Sequence, residues 1–172
     1  YMYKDGYAEK VRRFVEGGGL YVTTYFSGIV DGTDLCFTGR HPLEDVLGIV
    51  PEEIDAPSEE FANSFSYQGR TYPAMNMCAV VHPKEGTEVL SVYDKDFYAG
   101  CPMITRNRFG GGNAFFIAAE SDGNFLRAFY HDVFRSAGLK NALGIELPYG
   151  VTVTVRSPRG ERAGQNEEGR QA

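Results

Sequence analysis

Apolar residues recur at helical spacing near the start of the chain and again toward its end. The stretch "YAEKVRRFVE" from residue 7 places four apolar side chains on one helical face, namely Ala8, Val11, Phe14 and Val15. Three glycines follow and end the pattern. The later stretch "GNFLRAFYHDVFRSAG" has an apolar stripe behind an Asp122 N-cap, formed by Phe125, Leu126, Phe129, Val133 and Phe134. The sequence therefore predicts two amphipathic helices, and "HPLEDVLGI", with Pro42 and Gly48 at its ends, predicts a short third one.

Short runs of β-branched and aromatic residues between these helices predict strands. "LYVTTY" follows the first glycine cluster, and residues 60–83 suit two strands around a turn at Gln68-Gly69. "TEVLSVY" predicts another strand, "CPMITRNRF" and "AFFIAAE" predict a hairpin, and "YGVTVTVRS" predicts a last strand. Helices that alternate with strands in this way are typical of an α/β domain. We expect a central parallel sheet with an antiparallel extension.

Length and charge narrow the class of protein. The 172 residues are 42% apolar, which is enough for one domain with a core. A net charge of −6 argues against a nucleic-acid partner, because phosphate neutralisation requires clustered Lys and Arg. No apolar run approaches the ~20 residues of a membrane span, so no membrane association is expected. The three cysteines are widely spaced, which favours a reducing, cytoplasmic setting over a disulfide framework.

The final residues differ in composition from the rest of the chain. "SPRGERAGQNEEGRQA", residues 157–172, is polar, glycine-rich and almost devoid of apolar side chains. Such a segment cannot bury enough apolar surface to fold, so it predicts a linker or disordered tail. The α/β domain is accordingly expected to span residues 1–156.

The glycine-rich, cysteine and histidine positions do not form a recognisable catalytic or metal-binding set. "FGGGN", residues 109–113, lacks the Lys-Ser/Thr and the following helix of a phosphate loop, so it predicts a hairpin turn. No strand-to-helix elbow surrounds any candidate nucleophile: Cys36, Cys78 or Cys101. No metal-ligand spacing relates the histidines: His41, His82 and His131. We therefore predict no catalytic residue, no metal and no cofactor, and we expect Cys78 to be a shielded thiol in an apolar strand.

The segment "YFSGIVDGTDLCFTG", residues 25–39, is unusual for a loop. Its two acids, Asp31 and Asp34, can serve as a Ca²⁺ or acid–base pair, or can bond backbone N–H groups in turns, which is the commoner arrangement. The segment is otherwise apolar and poor in Lys and Glu, a composition that favours subunit contact. The candidate interface residues are Tyr25, Phe26, Ile29, Val30, Asp31, Asp34, Leu35 and Phe37.

Several stretches, taken together, are similar to one enzyme family. "VRRFVEGGGLYVTTYFSGIVDGTDLCFTGRHPLEDVLGIVPEEID", "GCPMITRNRFGGGNAFFIAAESDGNFL" and "LPYGVTVTVR" resemble, in that order, the middle domain of glycoside hydrolase family 42 β-galactosidases. The similarity covers roughly residues 8–156. No one of these motifs is diagnostic, and the resemblance rests on their order and spacing.

The resemblance implies a fold and a role. It implies a flavodoxin-like, class I glutamine amidotransferase-like three-layer sandwich without Cys–His chemistry. It implies a non-catalytic domain that assembles the enzyme into a homotrimer. The galactoside substrate and the two catalytic glutamates then belong to a barrel absent from this chain, so no Glu here inherits a catalytic role. The family's domain also opens with one or more strands before the helix at Tyr7, and these strands are expected to be missing.

Two other hypotheses belong to different classes of protein. A free-standing amidotransferase-like or trehalose-utilisation-like protein shares "FVEGGGL" before a strand and binds a small molecule. It requires a complete first strand and a polar pocket above the sheet. A carbohydrate-binding module requires a β-sandwich, which the helices predicted at 7–16 and 122–137 disfavour.

Overall fold

A computed structural model describes residues 1–37, 39–139, 145, 147–148, 150–154 and 156. They fall into two compact units, residues 1–130 and 131–172. In the second unit, the Ser136 hydroxyl donates to the Val133 carbonyl at 2.8 Å, and the Val151 N–H donates to the Pro148 carbonyl at 3.1 Å. The strands and the candidate interface loop all lie in the first unit.

Three α-helices, eight strands and a short 3₁₀ helix (Glu59–Phe61) follow one another among the described residues. The helices are α1 (Tyr7–Glu16), α2 (Glu44–Leu47) and α3 (Gly123–Ser136). The strands are β1 (Leu20–Thr24), β2 (Ile49–Asp55), β3 (Asn63–Tyr67), β4 (Arg70–Pro83), β5 (Glu88–Val92), β6 (Pro102–Phe109), β7 (Gly112–Ile117) and β8 (Ala119–Glu120). Among the described residues, none of the helices is long and apolar enough to cross a bilayer.

The first sheet is mixed, with the strand order β1-β7-β6-β5. β1 and β7 run parallel, from the Leu20–Asn113 pair to the Thr24–Ile117 pair. The β7–β6 and β6–β5 pairs are antiparallel, so the predicted antiparallel extension is present and the parallel part is a single pair among the described strands. The β6–β7 hairpin turns at Gly110-Gly111, which confirms that the glycine-rich segment is a turn.

Helices cover both faces of this sheet. On one face, the Arg12 guanidinium of α1 donates to both carboxylate oxygens of Asp45 in α2, at 2.9 and 3.0 Å. The Asn107 amide of β6 donates to the carbonyl of Val46 in α2 at 2.9 Å. Because side chains alternate along a strand, Phe115 of β7 points to the opposite face, where its ring lies 5.8 Å from that of Phe129 in α3. The mixed α/β class is therefore confirmed.

The second sheet is antiparallel, with the order β2-β4-β3 and β8 paired to β4. β3 and β4 form the predicted hairpin around Gln68-Gly69, whose φ values of 51° and 74° suit a type I′ turn. β2 was not predicted. Its sequence "IVPEEID" carries a proline and three acids, which an edge strand tolerates because one side of it faces solvent.

An aromatic cluster fills the space between α3 and the β3–β4 hairpin. The ring of Phe125 lies 4.9 Å from that of Phe65 and 5.5 Å from that of Tyr72. Both Phe125 and Phe65 are fully buried. The Phe125 N–H donates a hydrogen bond to Asp122 Oδ1 at 2.8 Å, which confirms the predicted N-cap.

The helical stripes are only partly buried. Val11 and Val15 of α1 are in the core, as are Phe125, Phe129 and Val133 of α3. The stripe predictions were wrong for three side chains, which are 56%, 38% and 47% exposed respectively: Phe14, Leu126 and Phe134. Each of them is adjacent in sequence to a buried residue. The face of each helix that packs against the core is therefore narrower than the apolar stripe in the sequence.

The predicted last strand is not present among the described residues. Residues 150–154 and 156 have no strand assignment, and Val151 and Val153 are exposed. Alternation alone does not make a strand, because the backbone also needs a partner for its hydrogen bonds. Tyr149, Val155 and the predicted tail at 157–172 lie outside the described residues.

The three thiols differ sharply in accessibility. Cys78 in β4 is fully buried, Cys36 is exposed and Cys101 is intermediate. Burial raises the pKa of the Cys78 thiol, and this further lowers the fraction of reactive thiolate.

We expect a thiol reagent to label Cys36 first and to leave Cys78 unlabelled until the chain unfolds. The reason is that the reagent needs both access and thiolate, and Cys78 offers neither. Mass spectrometry of quenched time points, with and without denaturant, measures each site separately. Equal, rapid labelling of all three cysteines in the native chain would contradict the buried position of Cys78.

Candidate functional site

The candidate loop leaves the carboxyl end of β1. β1 lies at one end of the strand order among the described strands. A turn between Thr24 and Ser27 begins the loop, with a 3.0 Å backbone hydrogen bond. Val30 then forms a parallel bridge with Met2 and an antiparallel bridge with Cys36. The loop is therefore paired along its length rather than open.

The two acids of the loop hold its turn. Asp31 Oδ1 accepts hydrogen bonds from the Thr33 hydroxyl at 2.7 Å, the Thr33 N–H at 2.8 Å and the Leu35 N–H at 3.2 Å. These bonds, the hydroxyl one first, hold the pKa of Asp31 below its usual range. Asp34, at φ 66°, accepts a 2.8 Å hydrogen bond from the Tyr1 hydroxyl. The turn-capping interpretation is thus confirmed for Asp31, whereas the Asp34 carboxylate bonds a side-chain hydroxyl instead of a backbone N–H.

The apolar side chains of the loop divide into a buried and a partly exposed group. Val30 is 4% exposed and packs inside the loop. Phe26 stacks on Tyr1 with 5.2 Å between ring centroids, and the Tyr25 hydroxyl donates to Glu120 at 3.3 Å. Leu35 is 65% exposed. Ile29 and Phe37 are half-buried, so the loop presents apolar surface that its own fold does not cover.

A cavity of about 580 Å³ separates the loop from the second sheet. Its lining combines Ile29 and Phe37 of the loop with Val50 and Ile54 of β2 and Phe116 of β7. Sequence reasoning found the loop and missed β2. The signal available was the trio of β-branched residues around the acids of "IVPEEID", which marks an edge strand rather than a connection.

Two of the charged groups at this cavity are engaged by partners, and Arg40 and Glu53 also line it. The carboxylate of Glu44, only 10% exposed, binds the Lys84 ammonium at 2.5 Å. Glu52 binds His82 at 2.6 Å on the surface. Among the described residues, no group of three or more His, Cys, Asp or Glu side chains can hold a metal ion. The cavity therefore combines apolar and charged lining side chains.

Comparison with known proteins identifies the family. A family model described as the β-galactosidase trimerisation domain matches residues 1–140. The chain belongs to this family. The predicted resemblance to the middle region of glycoside hydrolase family 42 β-galactosidases is thereby confirmed.

Curated relatives of this trimerisation domain are themselves β-galactosidases. β-Galactosidase Pbg of Clostridium perfringens is 43% identical over 166 residues, which cover 91% of this chain and 24% of Pbg. β-Galactosidase BglY of Alicyclobacillus acidocaldarius is 41% identical over 170 residues, which cover 93% of this chain and 24% of BglY. The chain therefore spans about a quarter of the length of the curated relatives it matches.

Solved structures give the same result for the trimerisation domain. The β-galactosidase from Rahnella sp. R3 matches with a TM-score of 0.82 and 40% identity, covering 88% of this chain and 24% of that one. The β-galactosidase from Bacillus circulans sp. alkalophilus matches with a TM-score of 0.76 and 39% identity, covering 81% and 22%.

Proposed function

We propose that this chain is the non-catalytic assembly domain of a β-galactosidase and joins three copies of the full-length protein. The family match over residues 1–140 is the observation that carries the proposal. The shared length supports it, because relatives named β-galactosidases are about four times longer than the matched segment. The hydrolysis of terminal β-galactosides then belongs to the part of the protein outside this chain.

We propose that the loop at residues 25–37 contributes to the contact between copies. The side chains of Ile29, Leu35 and Phe37 are at least partly exposed on its surface. The carboxylates of Asp31 and Asp34 accept hydrogen bonds from within the chain. Apolar and aromatic anchors next to a groove are typical of subunit interfaces. A closed trimer is built from head-to-tail contacts, in which one surface of a chain meets a different surface of the next chain. The loop of one copy can therefore contact a surface other than the same loop of its neighbour.

We expect the full-length protein to have the mass of three chains and to release the chromophore from a chromogenic β-galactoside. This chain alone should release none, since retaining hydrolysis requires two carboxyl groups about 5 Å apart that flank a sugar site. Light scattering and absorbance measure the two properties. A single-chain mass for the full-length protein would contradict the assembly role. Hydrolysis by this chain that is lost when one of its acids is replaced would contradict the non-catalytic role.

We propose the flavodoxin-like, amidotransferase-like sandwich as the finer description of the fold, completed by a strand that precedes Tyr1. β1 pairs with β7 on one side, and no described strand pairs with its other side. Met2 bridges Val30 in parallel. Residues ahead of Tyr1, continued in the same direction, would run beside β1 and form a right-handed strand–helix–strand unit with α1.

We expect an extension of about ten upstream residues to stabilise the chain, because it would pair the free edge of β1. Thermal unfolding should shift upward by several degrees, and the amide protons of β1 should exchange more slowly. A scrambled extension of equal length serves as the control. Equal effects of the native and scrambled extensions would contradict the proposed strand.

We propose a cytoplasmic location. The three cysteines carry free thiols in the structure, a state that a reducing compartment maintains. The alternative of a free-standing small-molecule-binding protein is less well supported. Its cavity should be polar, whereas the cavity beside the loop has an apolar wall next to its charged side chains, formed by Ile29, Phe37, Val50, Ile54 and Phe116.

A further inference from the structure

His41 links the start of the loop to the start of α2. Its Nδ1 lies 3.1 Å from the Leu43 nitrogen, and its Nε2 lies 3.0 Å from the Ser27 carbonyl oxygen. A backbone N–H can only donate and a carbonyl can only accept, so Nδ1 must be unprotonated and Nε2 must carry the proton. The two contacts therefore fix one neutral tautomer of the imidazole.

The loop passes very close to this ring. Gly28 has φ 71°, and a Cβ at that position would lie 2.7 Å from His41 Nε2 and 2.7 Å from the Tyr3 ring. The Tyr3 ring also stands edge-on to the imidazole, with 6.1 Å between centroids. Two backbone bonds continue the attachment, from Ile29 N–H to the Tyr1 carbonyl at 3.1 Å and from Tyr3 N–H to the Val30 carbonyl at 2.9 Å. The imidazole is thus half-buried, with the loop that it holds against one side of the ring.

The groups around the imidazole do not provide a free counterion. Glu44 of α2 favours a charged imidazole, but its carboxylate binds the Lys84 ammonium at 2.5 Å. Arg40, which also lines the cavity, is a like charge next to His41 in sequence. Tyr3 is a neutral phenol near pH 7, and burial raises its pKa still further. Burial is the main influence on His41 and lowers its pKa.

We propose that His41 is a pH-sensitive clasp on the 25–37 loop. A proton taken from solvent can bind only at Nδ1, where it faces the Leu43 N–H, so two donors then oppose each other. The hydrogen bond from Leu43 is lost, and a positive charge is placed in a half-buried site without a free counterion. The ring must leave its site, which frees Ser27 and the loop that follows. Any effect of the clasp on assembly rests on the proposed function. The clasp itself rests only on the contacts of His41.

The sign of the pH effect follows from the lowered pKa. When the loop is open, the imidazole titrates near its ordinary pKa of about 6.5, so the open state takes up the proton first. The closed loop is therefore fully stabilised above that pH. The stabilisation is lost as the pH falls below it toward the folded-state pKa. Acid should open the loop, and alkali should leave it closed.

The test is hydrogen exchange of the full-length protein at about pH 7.5 and about pH 5, with rates corrected for the intrinsic effect of pH. We expect the amide protons of residues 25–37 to lose protection by on the order of tenfold at the lower pH. His41→Gln keeps a neutral side chain that can still donate to the Ser27 carbonyl, so its loop should exchange equally at both pH values. His82→Gln removes an exposed histidine bound to Glu52 and should behave as the wild type does.

A second measurement on the wild type does not depend on the variants. Nitrogen NMR shifts of His41 should report a proton on Nε2 near neutral pH, and the midpoint of its titration should coincide with the opening of the loop. A loop that stays protected at about pH 5, or that opens equally in the wild type and in His41→Gln, overturns the clasp. A proton on Nδ1 near neutral pH also overturns it.

The mass of the same samples separates the clasp from the proposed function. We expect the trimer to dissociate at the pH where the loop opens. If the loop opens through His41 while the mass stays at three chains, the clasp is upheld and the placement of the loop at the subunit contact is wrong.

Discussion

Replacement of both Ile29 and Phe37 by aspartate is expected to dissociate the full-length protein into single chains. Both side chains are half-buried and line the cavity between the loop and β2. If a second copy covers this surface, each new carboxylate becomes buried without a partner, at a cost of several kcal/mol. The dissociation constant should therefore rise by on the order of a thousandfold or more.

A matched pair of substitutions separates the site from the added charge. Val89 and Val92 of β5 are each 39% exposed, and β5 lies at the opposite end of the strand order from β1. Val89→Asp with Val92→Asp adds the same charge and should leave the trimer intact. Light scattering measures mass and circular dichroism measures folding. If the Ile29 and Phe37 variant remains a folded trimer, or if both pairs dissociate it equally, the loop is not the contact.

The local structure of the loop could be predicted because short-range chemistry decides it. An aspartate followed by glycine and threonine bonds backbone N–H groups two to four residues ahead, and Asp31 does so at Thr33 and Leu35. The caps and turns at Asp122, Gly48 and Gln68-Gly69 belong to the same class. In each case the residue type that predicts the cap or turn is also the residue that forms it.

The pairing of the strands could not be predicted in the same way. β1 pairs with β7, more than ninety positions away, and no feature of "LYVTTY" indicates its partner or its direction. A short apolar run can be parallel or antiparallel, central or at an edge. The cavity depends on this pairing and on the unpredicted strand β2, so only one of its walls was found from the sequence.

The loop is held by more bonds than a passive connection needs. Asp31 fixes its turn, Asp34 receives the Tyr1 hydroxyl, and His41 holds its first residues. A loop ordered before association loses little conformational entropy when it docks, so more of its contact energy appears as affinity. The internal hydrogen bonds therefore support assembly although none of them reaches a partner.

Gly112→Ala is expected to destabilise the chain by about 3 kcal/mol or more, near the upper end for overpacking. Gly112 begins β7 at the point where this strand passes the end of α1 and the start of β1. An added Cβ would overlap the carbonyl oxygens of Val15 and Gly19. Both atoms are backbone, so neither can turn away as a flexible side chain does. The Gly19 carbonyl also accepts the Asn113 N–H at 3.2 Å, and that bond would be strained.

Gly123→Ala adds the same methyl group, but we expect it to leave the stability of the chain unchanged or slightly higher. Apart from its chain neighbours and the backbone of its own helix, no heavy atom lies within 4 Å of a Cβ at Gly123, and its φ is outside the left-handed region. It is the first residue of α3, where alanine stabilises a helix relative to glycine by up to about 1 kcal/mol. Urea unfolding should therefore move the midpoint down for Gly112→Ala and leave it unchanged or slightly higher for Gly123→Ala. Equal midpoints for the two variants would mean that α1, β1 and β7 do not meet as closely as the backbone contacts at Gly112 require.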